Sequence, residues 1–136
     1  FRYLYEDCYF TVTTESSESH DLCDYHWDDK VNDYFRSFHK EMFLTEKITR
    51  PMLNLHPQII YGASGTLEHL QSIGFKTFSE YWDEDYDHLN GERKLDAIMD
   101  ILTDLGSRSL EDLHDMYWDM MPILKHNQAV LLDITI

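Results

Sequence analysis

The stretch that most limits the fold runs from Gln58 to Gly74. Gln58-Ile59-Ile60-Tyr61 is a short apolar run with β-branched residues, and Gly62 ends it. Ser64 and Thr66 can then cap a helix carrying Leu67, Leu70 and Ile73, and Gly74 supplies a left-handed stop. Strand, turn and helix with connections this short are the signature of an α/β unit. A second unit precedes it. Cys8-Tyr9-Phe10-Thr11-Val12-Thr13-Thr14 reads as a buried strand. Thr45 is a good N-cap for a helix whose apolar face uses Ile48, Met52 and Leu55. Pro51 falls within the first turns of that helix and Pro57 is expected to stop it. The expected fold class is therefore α/β: a small parallel sheet with flanking helices and a helical C-terminal extension. Tyr9–Thr13 and Gln58–Tyr61 should lie side by side and parallel, with Thr45 to Asn54 in the crossover between them.

Elsewhere the pattern is simpler. Glu15 to Asp29 is polar and aperiodic and reads as a long loop, and Val31 to Phe38 fits one or two helical turns. In the last third, Leu95, Ile98, Leu102 and Leu105 share a helical face, with Gly106 closing the helix. Ser109 and Asp112 resemble a capping box ahead of Leu110, Leu113, Tyr117, Met120 and Leu124, and Pro122 should kink that helix. Phe75 and Phe78 should be buried with Lys76 outward, and Trp82 and Tyr86 should pack on the tail. At 136 residues the chain fits one domain, with an α/β part of about 1–90 and a helical tail of about 91–136. The acidic stretch Trp82 to Gly91 is the candidate boundary between them. The chain opens at Phe1 in mid-element, so it reads as a piece of something longer.

Charge narrows the partners. Eleven basic against 26 acidic residues leave a net −15, a field that repels nucleic acid and anionic membrane surfaces. A phosphate-bearing ligand has to be held by a local cluster of donors. No apolar run approaches the ~20 residues of a membrane span. Two cysteines, Cys8 and Cys23, make no disulfide framework, and a cytoplasmic location is expected.

Several motifs fail on their mechanics. Asp83, Asp85 and Asp87 match a calcium loop, but His88 stands where glycine must turn it and Lys94 where the bidentate acid belongs. The same acids form two Asp-x-Asp triplets, a pattern that can hold a metal on a diphosphate but that also arises by composition in an acidic surface stretch. His20, Cys23 and His26 have zinc-like spacing, without a matching second pair. Gly62-Ala63-Ser64-Gly65 is neither a nucleophile elbow nor a Walker loop, though such a turn aims backbone donors at whatever lies above it. Thr45-Glu46-Lys47 carries more. A helix start with an acid and a lysine can read a nucleotide diphosphate: the N–H groups and the lysine take the phosphates, and the carboxylate takes ribose hydroxyls. The same residues also open many ordinary helices.

Thr45-Glu46-Lys47, preceded by Cys8 through Glu15-Ser16, resembles the donor-binding half of GT-B glycosyltransferases of the fucosyltransferase type. The onward run His56-Pro57-Gln58-Ile59-Ile60-Tyr61-Gly62, then Gly74-Phe75-Lys76-Thr77-Phe78, then Trp82-Asp83-Glu84 with Tyr86-Asp87, is similar to phage and bacterial glycosyltransferase-like proteins. The resemblance spans Cys8 to Asp87. It implies a Rossmann-like C-terminal half that binds a GDP- or UDP-sugar, with Glu46 on the ribose, Lys47 on the diphosphate, and Glu15 and Ser16 nearby. Ser16 departs from the family's asparagine, and the loop between the motifs is longer, so nucleotide and sugar stay open. No metal or other cofactor is implied. The acceptor site and general base of such enzymes belong to an N-terminal domain that this chain lacks, so alone it is expected to be inactive or a weak nucleotide binder. Two other readings are a non-catalytic interaction domain of the same fold and a small zinc protein built on His20, Cys23 and His26.

Overall fold

The computed structural model describes residues 5–15 and 45–135. Ser16, the His20-Cys23-His26 trio, the expected loop up to Asp29 and the expected turns at Val31 to Phe38 lie outside the described residues. Two strands, β1 (Thr11–Thr14) and β2 (Gln58–Tyr61), pair in parallel, with Thr11 opposite Gln58 and Thr14 opposite Tyr61. Helix α1 (Glu46–Leu53) lies between them in sequence. After β2 come α2 (Thr66–Ser72), a 3-10 turn at Asp85–His88, α3 (Gly91–Ser107), α4 (Leu110–Asp119) and α5 (Met121–Thr135). The protein is thus a mixed α/β structure, mostly helical, around a small parallel sheet. Among the described residues, no helix is long and apolar enough to cross a membrane.

Polar contacts line the sheet. Only the side of β1 carrying Thr13 is buried; Val12 is exposed, so β1 is not the fully buried strand expected from its composition. The Thr13 hydroxyl donates to Gln58 Oε1 at 2.8 Å, and Gln58 Nε2 donates to the Ile48 carbonyl of α1 at 2.9 Å. One buried amide therefore ties both strands to the crossover helix. His56, two positions earlier, ties the segments that enter the two strands. Its Nε2 donates to the Cys8 carbonyl at 2.8 Å, which leaves Nδ1 to accept from the Thr11 hydroxyl at 2.6 Å. Burial holds this imidazole's pKa below 6.5.

Helix α1 stops earlier than Pro57. Leu55 adopts a left-handed φ of 53°. Its N–H then reaches the Met52 carbonyl at 3.3 Å and the His56 N–H reaches Pro51 at 2.9 Å, a Schellman ending without glycine. Leu55 is thus in the turn, outside the helical face expected of it. Pro51 sits in the second turn and withdraws the N–H that the Lys47 carbonyl would take. Gly74 closes α2 by the same motif, here as expected, with φ 107° and bonds from Gly74 N to Gln71 O and Phe75 N to Leu70 O.

The C-terminal helices depart from their expected faces. α3 buries Lys94, Ile98, Ile101 and Leu105, and Leu95 is turned out at 48% exposure. Gly106 lies inside the helix, which ends at Ser107. Ser109 caps α4, its Oγ accepting from Asp112 N at 3.1 Å, but Leu110 is exposed. Pro122 marks a break: α4 ends at Asp119 and α5 restarts at Met121, placing the proline in a first turn. The acidic stretch before α3 joins more than it separates. The Ile60 N–H donates to Tyr86 Oη at 3.3 Å, and Phe78 and Trp82 stack with ring centroids 5.4 Å apart. Trp82 shares a surface cleft with Ala97 and Ile101 of α3.

Candidate functional site

In a parallel sheet the chain leaves every strand at the same edge, and ligands of open α/β folds bind there. At that edge Glu15 continues the ladder, its N–H donating to the Tyr61 carbonyl at 2.9 Å. Its side chain is 6% exposed, and Oε2 accepts the Thr45 hydroxyl at 2.5 Å. Two segments 30 positions apart are thereby clasped together. Thr45 is the N-cap of α1 in extended conformation, yet its hydroxyl makes no bond to the helix's own N–H groups. The first turn of α1 is consequently uncapped by its own cap residue. Ile48, with Pro51 and Met52, buries the underside of that turn, leaving Glu46 and Lys47 on the outside.

The expected residues are divided by this arrangement. Glu15 and Thr45 touch. Lys47 is exposed beside them in the first turn, and Glu46 is exposed and paired with Arg50 at 3.0 Å. Ser16 lies outside the described residues. A buried carboxylate accepting a hydroxyl acts here as a brace for the helix start, with the exposed acid and lysine beyond it.

Sequence reasoning missed Lys94. Its side chain is 1% exposed and Nζ donates to the Gly62 carbonyl at 2.7 Å, at the end of β2. A Cβ built at Gly62 would lie 3.4 Å from both Glu15 Cβ and Thr66 Oγ1, so this turn is packed directly on Glu15. The available signal was the spacing of Lys94, Ile98, Ile101 and Leu105, a helical stripe whose first member is charged. A buried ammonium is costly unless it is well bonded, and this one sits at the same edge as a buried carboxylate.

At the Gly62–Gly65 turn, the Gly65 N–H and the first N–H groups of α2 are spent within the chain. Asp87, 4% exposed, caps α2: Leu67 N donates to Oδ1 at 2.9 Å and Glu68 N to Oδ2 at 3.2 Å. Its carbonyl accepts the Gly65 N–H at 2.9 Å. Asp83 accepts the Asp85 N–H at 2.8 Å in a local turn. The acidic triplets therefore brace the backbone. Nearby, burial raises the Glu84 pKa, and its carboxylate accepts the Phe78 N–H at 3.1 Å. Among the described residues no group of three or more His, Cys, Asp or Glu side chains is placed to hold a metal ion. No protein-family model, curated protein or solved structure matches the chain.

Proposed function

We propose that this chain is the nucleotide-sugar-binding half of a glycosyltransferase of the GT-B kind, built as a Rossmann-like domain that takes a GDP- or UDP-sugar. The observation that carries the reading is the Glu15–Thr45 clasp. It joins the two motifs that resemble the fucosyltransferase pattern at the carboxyl edge of a parallel sheet. Chemistry supports the same placement. A diphosphate leaving group gains negative charge as the glycosidic bond to the donor breaks. The N-terminus of α1 and the Lys47 ammonium oppose that charge. Glu46 can accept ribose hydroxyls once it lets go of Arg50, and an exposed pair of that kind is worth only about 0–1 kcal/mol. The acceptor site and the general base would belong to a separate N-terminal domain.

Titration with GDP, UDP and ADP, followed by protein NMR, tests this. Binding should lie near millimolar, about −4 kcal/mol, the range expected of an open half-site. It should weaken with salt. Lys47→Ala should remove most of the nucleotide affinity, whereas Glu46→Gln should weaken nucleosides and nucleotides alike. Shifts clustering away from Thr45 to Lys47, or an unchanged affinity in Lys47→Ala, would defeat the reading.

A further inference from the structure

A large cleft lies at the opposite edge of the sheet, where the chain enters β1 and β2. Its volume is about 940 Å³, within the range of roughly 300–1,000 Å³ typical of small-molecule sites. Four rings close its wall in a cycle. Tyr9 meets His114 and Tyr117, and Trp118 meets the same two, with centroids 5.6 to 6.3 Å apart and planes inclined by 55° to 81°. Trp118 is 57% exposed despite its size. All four rings line the cleft.

The polar groups of the cleft include Tyr9 Oη, bonded to His114 Nδ1 at 3.1 Å. Asn54 Nδ2 is spent on the Arg50 carbonyl at 2.8 Å and Gln128 Nε2 on the Leu53 carbonyl at 2.9 Å. Tyr117 Oη donates to the Leu55 carbonyl at 2.9 Å. Each of the two amides keeps its oxygen and one N–H for a ligand. Glu6 and Asp7 add carboxylates, and no lysine or arginine lines the cleft among the described residues. The C-terminus of α1 also ends here, at Leu53 and Asn54, and presents the negative end of the helix dipole. An anion would be repelled by these carboxylates and by that helix end.

We propose that this cleft is a binding site for a soft organic cation, a guanidinium or alkylated ammonium group held over the Tyr9, His114, Tyr117 and Trp118 rings. Such cations are weakly hydrated and are drawn to π faces, and the net −15 of the chain concentrates them. The ligand chemistry could be carried by a free metabolite or by a side chain of a peptide. The site is independent of the nucleotide reading, which concerns the other edge of the sheet.

The test titrates the full chain with tetramethylammonium and N-methylguanidinium, against the neutral isosteres tert-butanol and N-methylurea and against methyl glucoside. The Trp118 indole and the amides of 5–9 and 53–55 report binding by NMR. The cations should bind at least about tenfold more tightly than their neutral isosteres. Trp118→Leu, at an exposed position that leaves the core intact, should lose about tenfold, and Trp118→Phe less, because a weaker π face remains. Short peptides carrying arginine or trimethyl-lysine distinguish the sources: a peptide that binds more tightly than the free cation marks a peptide ligand, and equal affinity marks a small molecule. Equal binding of cation and isostere would overturn the proposal. So would preference for the glucoside, full affinity in Trp118→Leu, or no shifts at tens of millimolar cation.

Discussion

Asp87 caps a helix that begins 21 positions before it in sequence, and its removal makes a quantitative prediction. Asp87→Ala deletes both acceptors of the Leu67 and Glu68 N–H groups and leaves the backbone bond from Gly65 in place. Loss of an N-cap costs up to about 2 kcal/mol, and a hydrogen bond to a charged group is worth about 1.5–3 kcal/mol net. Leu67 is buried, so its N–H cannot be fully rehydrated; Glu68 is exposed and recovers water. The sum expected is about 3 kcal/mol. Asp87→Asn keeps one acceptor oxygen but loses the charge and turns an NH₂ toward the second donor, and should cost about half as much. Urea unfolding followed by circular dichroism reads both. With a slope near 1.5 kcal/mol/M, the alanine variant should move the midpoint down by about 2 M and the asparagine variant by about 1 M. A loss below about 0.5 kcal/mol for Asp87→Ala would refute the capping role, since surface changes fall in that range.

Two further outcomes follow from the core and its titrating groups. Trp82→Ala should cost about 3–5 kcal/mol by urea unfolding, the range for emptying a large aromatic site. Trp82→Phe should cost much less, because the indole Nε1 is buried and has no hydrogen-bond partner among the described residues. For His56, burial lowers the folded pKa below 6.5, so the unfolded chain binds the proton more readily. Its stabilisation is complete above pH 6.5 and is lost as pH falls through the folded value. Unfolding free energy measured from pH 7.5 down to 5 should therefore drop more steeply in the wild type than in His56→Gln. Parallel pH profiles would refute it. Glu84, whose raised pKa runs in the opposite sense, contributes equally to both proteins and cancels in the comparison.

Local signals were the legible ones. Gln58–Tyr61, the start of α1 at Thr45, the Gly74 stop and the Ser109 cap each depend on residues within a few positions, so periodicity and capping chemistry suffice to find them. The parallel pairing followed because a helix lies between the two strands in sequence. Features set by distant partners were not legible. Nothing near Thr66 indicates that its helix is capped by Asp87, and Ser64 and Thr66 looked like sufficient caps themselves. The Thr66 hydroxyl instead donates to the Ala63 carbonyl at 2.6 Å. α3 satisfies two overlapping stripes, one through Leu95 and Leu102 and one through Lys94 and Ile101. The bond from Lys94 to Gly62 accompanies the charged stripe against the more apolar one. At the candidate site the acid and lysine of α1 were visible as a motif. Their brace, Glu15, came into view through the resemblance, and the buried lysine behind Gly62 did not.

The turn between β2 and α2 also bears on how the chain tolerates variation in length. The four positions between Tyr61 and Thr66 contain a left-handed Gly65 and a Gly62 at which an added Cβ would lie 3.4 Å from Glu15 and Thr66. The Gly65 N–H is also fixed on the Asp87 carbonyl, whose carboxylate holds the next turn of backbone. Insertions and deletions among homologous chains should accordingly be purged from this connection. An engineered insertion there would pull α2 away from the acid that caps it.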